Sequence, residues 1–218
     1  FYKVKERIRA KYPDVLIQAC ASGGGRVEYG AMKYFNEVWT SDNTEALSRA
    51  RIQYGTSLFY PATVMGSHVS ATPNHQTSNI TPIKFRFDMA CAGRLGMELR
   101  PIESYKGYRD IVMEGDLYRI GTPYDDTGYY GVMYVSKDKK KAVLFTYCTL
   151  YQSRTLVPKY RLYGLDAQTR YKIREQNVDK KRFWFDGGTF TGEYLNHAGI
   201  NPNLNKIYDS AVFVLEAE

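Results

Sequence analysis

Apolar residues recur at helical spacing near the start of the chain, with charged residues between them. This spacing predicts an amphipathic helix over residues 1–12, ended by the Pro13-Asp14 pair. The next short run, Val15–Ala19, is mostly apolar, which is typical of a buried strand in a parallel sheet. The apolar positions of the predicted helix are Phe1, Val4, Ile8 and Tyr12.

The pattern then alternates between short apolar runs and polar loops. A brief helical stretch is expected around Met32–Phe35. Val38–Thr40 and Thr63–Met65 are predicted to be further strands. Asn43 or Thr44 is a natural N-cap for a helix between these two strands. Strands that alternate with helices indicate an α/β unit with a parallel sheet. The residues that are candidates for chemistry come just after the predicted strand ends. In parallel α/β barrels, the face at which the strands end carries the active site.

The pattern changes after about residue 115, where short runs rich in Tyr, Val, Phe and Thr are separated by turn residues. Regularly spaced short strands predict an antiparallel β-sandwich. Between the two regions, Ile83–Ala92 and Ile102–Met113 are predicted to be helical. We therefore expect an α/β domain over residues 1–114 and an all-β domain over residues 115–218. The predicted strands of the second domain are Tyr129–Val135, Ala142–Thr149, Lys159–Leu162, Tyr171–Glu175, Phe183–Phe185 and Ala211–Leu215.

Composition narrows the class of protein. The 218 residues are 44% hydrophobic and 24% charged, and no apolar run approaches the roughly 20 residues that a membrane span requires. The net charge of +7 is spread over both halves, which disfavours nucleic-acid binding because that requires a clustered basic surface. Three separated cysteines without a CxxC pair favour a reducing, cytoplasmic location, and the charged pattern at Phe1 suggests a chain that begins inside a longer polypeptide.

Asp42 is the first candidate for chemistry. A lone aspartate after a strand is usually a helix cap or a turn former. Here, however, Trp39, two hydroxyl residues and Asn43 surround the carboxylate in sequence. An aromatic ring that packs on an apolar sugar face, with polar groups that meet the hydroxyls, is typical of a carbohydrate site.

The segment Cys20–Arg26 contains three consecutive glycines, which allow a close approach of backbone to ligand. A phosphate-binding loop is disfavoured because neither GxGxxG nor GxxxxGK[ST] occurs. A nucleophilic Cys20 has no histidine near it in sequence. A purely structural tight turn remains an alternative.

A metal site is not predicted. His68 and His75 are seven residues apart, which matches no familiar zinc spacing, and no cysteine or glutamate completes a set. We expect neither a metal nor a cofactor.

Three long segments, in this order, resemble glycoside hydrolase family 36, the α-galactosidases. The resemblance is strongest between Tyr12 and Gly96 and extends more loosely through the second half. The matching segments are PDVLIQACASGGGR at Pro13–Arg26, VWTSDNTEA at Val38–Ala46 and IQYGTSLFYPATVMGSHVSATPNHQT at Ile52–Thr77.

This resemblance implies the C-terminal part of a (β/α)₈ barrel followed by a C-terminal antiparallel β domain. It implies hydrolysis of terminal α-linked galactose with retention of configuration, on raffinose- or melibiose-type oligosaccharides, in an enzyme that is often tetrameric. Asp42 matches the family's general acid/base, and Cys20 matches a cysteine that lines the galactose pocket. The resemblance also implies that Gly23 presents its backbone N–H to the sugar, that Arg26 orders the loop and that Trp39 contacts the substrate.

Two departures from the family pattern matter. Glu28 stands where the family often has an aspartate. The family's nucleophile lies in an upstream KWDxN-type segment that this sequence lacks, so the 218-residue chain alone is expected to be inactive. The region Leu99–Tyr108 also looks shorter than in the family.

Two other classes of function compete with the hydrolase. Twenty tyrosines and two tryptophans would also suit a non-catalytic carbohydrate-binding piece. A purely structural domain would have no pocket around Asp42 and Cys20.

Overall fold

The computed structural model describes residues 1–96, 103–151 and 157–218. The predicted helix Ile102–Met113 and the region Leu99–Tyr108 therefore lie partly outside the described residues. In the first half, helices and short strands alternate along the chain. The elements are α1 (Tyr2–Lys11), β1 (Gln18–Ala19), α2 (Tyr29–Met32), β2 (Glu37–Trp39), α3 (Ala46–Ser57), β3 (Met65–His68), α4 (Ile83–Cys91), β4 (Arg94–Gly96) and α5 (Glu103–Glu114).

The four strands form one parallel sheet in the order β1-β2-β3-β4. This order confirms the predicted α/β unit. The predicted strand at Val15–Ala19 is wrong in its first half, because β1 begins only at Gln18 and Leu16 is 70% exposed. None of the residues of α1 is buried, although Arg9 reaches the backbone oxygen of Tyr34 at 3.1 Å.

The second half forms a six-stranded antiparallel sheet in the order β5-β6-β7-β10-β8-β9. Every residue of β6 is buried, so both faces of this sheet are covered. The elements are β5 (Asp116–Gly121), β6 (Tyr129–Val135), β7 (Lys141–Cys148), β8 (Arg170–Gln176), β9 (Thr189–Thr191), α6 (Gly192–His197) and β10 (Asp209–Ala217).

One face of the antiparallel sheet packs on the helices of the first half. Tyr130 and Val132 of β6 join Phe85 of α4 and Tyr108 of α5 in one hydrophobic core. The opposite face, which includes Met133, is covered by Leu195 of α6 and by segments outside the named elements that contribute Leu162, Ile200 and Leu204. Among the described residues, a second facing sheet is therefore replaced by coil and a short helix.

Two strand predictions in this half are wrong. Phe183–Phe185 is a bend and turn, because Gly187 has φ +79° and its N–H bonds the carbonyl of Ile173 at 2.7 Å. Lys159–Leu162 contributes only an isolated bridge between Tyr160 and Ile200.

A buried polar network joins the two halves. Asp88 of α4 is fully buried, forms an ion pair with Lys84, and accepts hydrogen bonds from Ser210 Oγ at 2.7 Å and Asn177 Nδ2 at 3.0 Å. The Tyr147 hydroxyl donates to the backbone oxygen of Asp88 at 3.0 Å. Because each carboxylate oxygen has a partner, the buried charge is compensated across the junction.

Among the described residues, no helix combines the length and the hydrophobicity that crossing a bilayer requires.

Candidate active site

The carboxyl ends of β1, β2 and β3 lie at one edge of the parallel sheet, because the three strands pair in register and in the same direction. Cys20 follows β1, and the segment that ends in Asp42 follows β2. His68 is the last residue of β3. The sheet therefore brings the two segments singled out in the sequence to the same edge.

The glycine loop packs directly on the backbone of the Asp42 segment. Gly23 adopts φ +62°, and a Cβ atom built on it would lie 2.3 Å from Asp42 N and 2.5 Å from Ser41 Cα. Gly25 is similarly close to its own loop, since a Cβ atom there would lie 2.6 Å from Ala21 O. Glycine is therefore required at Gly23 for two reasons, a left-handed backbone and a close approach to another backbone.

Side chains of the Asp42 loop satisfy successive backbone N–H groups. Ser41 Oγ accepts from Asn43 N at 3.1 Å, and Asn43 Oδ1 accepts from Glu45 N at 3.1 Å. Glu45 then caps α3 by accepting from Leu47 N at 2.9 Å and from Ser48 N. The predicted N-cap at Asn43 or Thr44 is wrong by one or two residues, because Asn43 forms a local turn instead.

The Asp42 side chain is exposed, and one of its oxygens is held by Trp39. Trp39 Nε1 donates a hydrogen bond to Asp42 Oδ1 at 3.1 Å. The indole ring is half-buried and packs against the His68 ring, with centroids 4.8 Å apart and planes inclined by 27°. Trp39 thus contacts the candidate acid/base, and its contact with substrate stays a prediction.

Arg49 is the residue of this site that the sequence analysis missed. It is 4% exposed, and its guanidinium carbon lies 4.9 Å from the Trp39 ring centroid. Arg49 shares the buried side of α3 with Ala46, Ala50 and Gln53. A charged residue within the buried stripe of a helix is the signal that would have identified it.

Burial lowers the pKa of the Arg49 guanidinium to about 10, and the negative charge of Asp42 partly opposes that decrease. The dominant cause is desolvation, which disfavours the charged form. The arginine remains protonated at neutral pH.

Cys20 is exposed and lies in a small cavity of about 70 Å³. Arg26 lines the same cavity, and its guanidinium lies 5.2 Å from the Phe1 ring centroid. This ring contact joins Arg26 to Phe1, which precedes α1, and its role in ordering the glycine loop stays a prediction. Glu28, the departure from the family pattern, accepts a hydrogen bond from the Tyr2 hydroxyl.

The segment after β3 supports the Asp42 loop from the other side. Ser70 Oγ donates to Thr44 O at 2.7 Å, and Gln76 Oε1 accepts from Thr44 N at 3.3 Å. The buried Asn74 donates to Thr44 Oγ1 at 3.3 Å. His75 is exposed on this segment, and the described parts of the chain contain no group of three or more His, Cys, Asp and Glu suited to a metal ion.

In parallel α/β-barrel enzymes the active site lies at the carboxyl edge of the sheet, which is where this structure places an exposed carboxylate beside a glycine loop. The family comparisons agree with this class. The melibiase family profile matches residues 1–114, and the profile of the glycosyl hydrolase family 36 C-terminal domain matches residues 129–215. The chain belongs to the melibiase family and to glycoside hydrolase family 36.

Individual relatives cover the chain from end to end. α-Galactosidase C of Emericella nidulans is 36% identical over 230 residues, which span 100% of this chain and 29% of the relative. The family 36 α-galactosidase AgaA of Geobacillus stearothermophilus, crystallised with raffinose, is 32% identical and superposes with a TM-score of 0.88. That match covers 100% of this chain and 31% of AgaA.

A second structure of AgaA, crystallised with stachyose, is 33% identical with a TM-score of 0.87, and again covers 100% of this chain and 31% of AgaA. The chain spans about three tenths of the length of these relatives.

Proposed function

We propose that this chain supplies the acid/base half of the active site of a retaining α-galactosidase. The observation that carries the proposal is the placement of Asp42: its exposed carboxylate follows β2, against the glycine loop, and receives the Trp39 N–H. Membership of family 36 supports the reaction class, and the raffinose and stachyose complexes of AgaA support a galactosyl oligosaccharide as substrate.

Asp42 acts twice in this mechanism. In the first step it donates a proton to the departing glycosidic oxygen while a carboxylate nucleophile attacks the anomeric carbon. In the second step, as a base, it removes a proton from the water that hydrolyses the galactosyl-enzyme. Retention requires the two carboxyl groups to be about 5–5.5 Å apart.

In this proposal, the nucleophile lies on a barrel strand that is not part of these 218 residues. Residues 1–114 then complete a (β/α)₈ barrel, and residues 115–218 form the C-terminal antiparallel β domain, in which coil and α6 take the place of the second sheet of the expected sandwich. Cys20, Gly23 and Arg26 lie beside the galactose, in an enzyme that assembles as a homo-oligomer. Turnover by the 218-residue chain alone would contradict a nucleophile outside this chain. The exposed Glu28 would then be the first alternative to examine, since Asp88 is fully buried.

The test uses Asp42→Ala in a full-length enzyme that contains this chain. Cleavage of raffinose should nearly vanish, because its leaving group needs a proton. An activated aryl α-galactoside should still form the galactosyl-enzyme with an initial burst, followed by slow turnover and a lower apparent KM. Azide needs no base, so it should restore the rate and give α-galactosyl azide from the face that Asp42 vacated.

A β-configured azide product would instead identify Asp42 as the nucleophile. Unchanged raffinose cleavage by Asp42→Ala would refute the assignment altogether.

A further inference from the structure

The guanidinium of Arg49 contacts Trp39, the last residue of β2, and both residues between β2 and Asp42. It lies over the Trp39 ring at 4.9 Å, donates to Ser41 O at 2.7 Å and donates to Thr40 Oγ1. The planar fork of arginine suits this task, because it can bind two acceptors and stack on a ring at once, which lysine cannot do.

This placement costs stability. A buried guanidinium loses its hydration, and the hydrogen-bond acceptors described for Arg49 are a hydroxyl and a backbone carbonyl, both neutral. The carboxylate that acts on it electrostatically is Asp42. A buried charge with neutral partners contributes little to the free energy of folding, which favours a role in the site.

Trp39 transmits this contact to Asp42. Its ring rests on Arg49 and on His68, and its Nε1 donates to the carboxylate. Asp42 itself is exposed at the surface of the described chain, so the Trp39 bond and the backbone of residues 40–42 determine where its carboxyl points. Arg49 holds both.

We propose that Arg49 is a positioning residue for Asp42, which it keeps aligned for proton transfer by fixing Trp39 and the Thr40–Ser41 backbone. This inference rests on the acid/base role proposed above for Asp42. A proton donor that is displaced by about an ångström transfers its proton poorly, and the loss falls on substrates whose leaving group needs that proton.

The readout is therefore the dependence of kcat/KM on the leaving group. In a full-length enzyme, Arg49→Met, Arg49→Lys and Trp39→Phe would be assayed on raffinose and on a series of aryl α-galactosides of increasing leaving-group pKa. Trp39→Phe keeps an aromatic ring but removes the N–H donor. Arg51→Met is the matched control, because Arg51 lies on the same helix but contacts Pro123 O and the Tyr124 ring.

We expect Arg49→Met to lose about 10- to 100-fold in kcat/KM on raffinose and less than about threefold on the most activated aryl substrate, since general acid catalysis supplies roughly 10²–10⁴-fold. Arg49→Lys should also show the leaving-group dependence, with a smaller loss. Trp39→Phe should follow the same pattern at near-native thermal stability. Arg51→Met should match the parent enzyme.

An equal loss on all substrates in Arg49→Lys and Trp39→Phe would show that Arg49 only stabilises the fold and would overturn the inference. These two variants decide the matter if Arg49→Met fails to fold. Asp42→Ala in the same series separates the two proposals. If Asp42→Ala has no leaving-group dependence, the acid/base assignment fails; if it has one and the Arg49 and Trp39 variants do not, only the positioning role fails.

Discussion

Gly23 lies so close to Asp42 that a Cβ atom on the glycine would be 2.3 Å from the aspartate's backbone nitrogen. Two segments that are separated in sequence thus meet backbone to backbone. A side chain at Gly23 would displace the backbone of Asp42. This contact couples the glycine loop to the candidate acid/base.

Gly23→Ala is expected to lower both stability and activity. The left-handed backbone at φ +62° costs about 1–2 kcal/mol for alanine, and the clash with Asp42 N adds to that. Thermal unfolding and kcat/KM on an aryl α-galactoside measure the two effects. Gly107→Ala is the control: a Cβ atom added at this position of α5 would meet no other residue within 4 Å, so the substitution should be neutral or stabilising by about 0.5–1 kcal/mol.

The three cysteines should differ in reactivity. Cys20 is exposed and should be alkylated in the native protein at neutral pH, whereas burial raises the pKa of the Cys148 thiol to about 11 and raises that of Cys91 further. At pH 8 only about one Cys148 in a thousand is then a thiolate, the reactive form. Mass spectrometry after iodoacetamide treatment should find Cys20 alone modified until the protein is denatured.

Galactose provides a second readout of the same experiment. If Cys20 lines the sugar pocket of the full-length enzyme, galactose should slow its alkylation and protect activity. Equal labelling with and without galactose would favour the purely structural turn.

Ser210→Ala is expected to destabilise the protein by about 1–3 kcal/mol. The substitution leaves one oxygen of the fully buried Asp88 carboxylate without its 2.7 Å hydrogen bond, and an under-satisfied buried charge is costly. Urea unfolding of the full-length enzyme gives the change. Lys141→Ala breaks the exposed ion pair with Glu216 and should cost less than about 1 kcal/mol, so equal effects of the two substitutions would contradict a structural role for Asp88.

The sequence predicted the parts of the fold that depend on local pattern. The alternation of strands and helices, and the strands β6, β7 and β10, could be inferred because these strands are short runs rich in apolar residues that are buried. The predicted strand Thr63–Met65 was misplaced, because residues 62–64 form a 3₁₀ turn and β3 runs from Met65 to His68. The error at Phe183–Phe185 arose because an aromatic run was treated as a strand, whereas Phe185 is buried from within a turn.

The motifs of the candidate site were predictable from the sequence, but the contacts that hold these motifs in place were not. Asp42 and the glycines stand out in sequence, and the parallel sheet brings them to one edge. Arg49 could have been noticed as a charged residue in the buried stripe of α3. Its contact with Trp39, and the role of Glu45 as the cap of α3, could not be inferred, because they depend on how the helix and the neighbouring loop meet in the folded chain.

The position of β10 determines how the antiparallel sheet can assemble. It pairs with β7 on one side and with β8 on the other, and it is the only described bridge between β5-β6-β7 and β8-β9. Ribosomal synthesis delivers β10 after every other strand of the sheet, and about 60 residues separate it from β7. The β7 and β8 edges therefore stay unpaired until β10 has been synthesised. Pairing of β10 with β7 is slow, because it closes a long loop. In the interval, chaperone protection of the β7 and β8 edges would have its greatest effect on the yield of native protein.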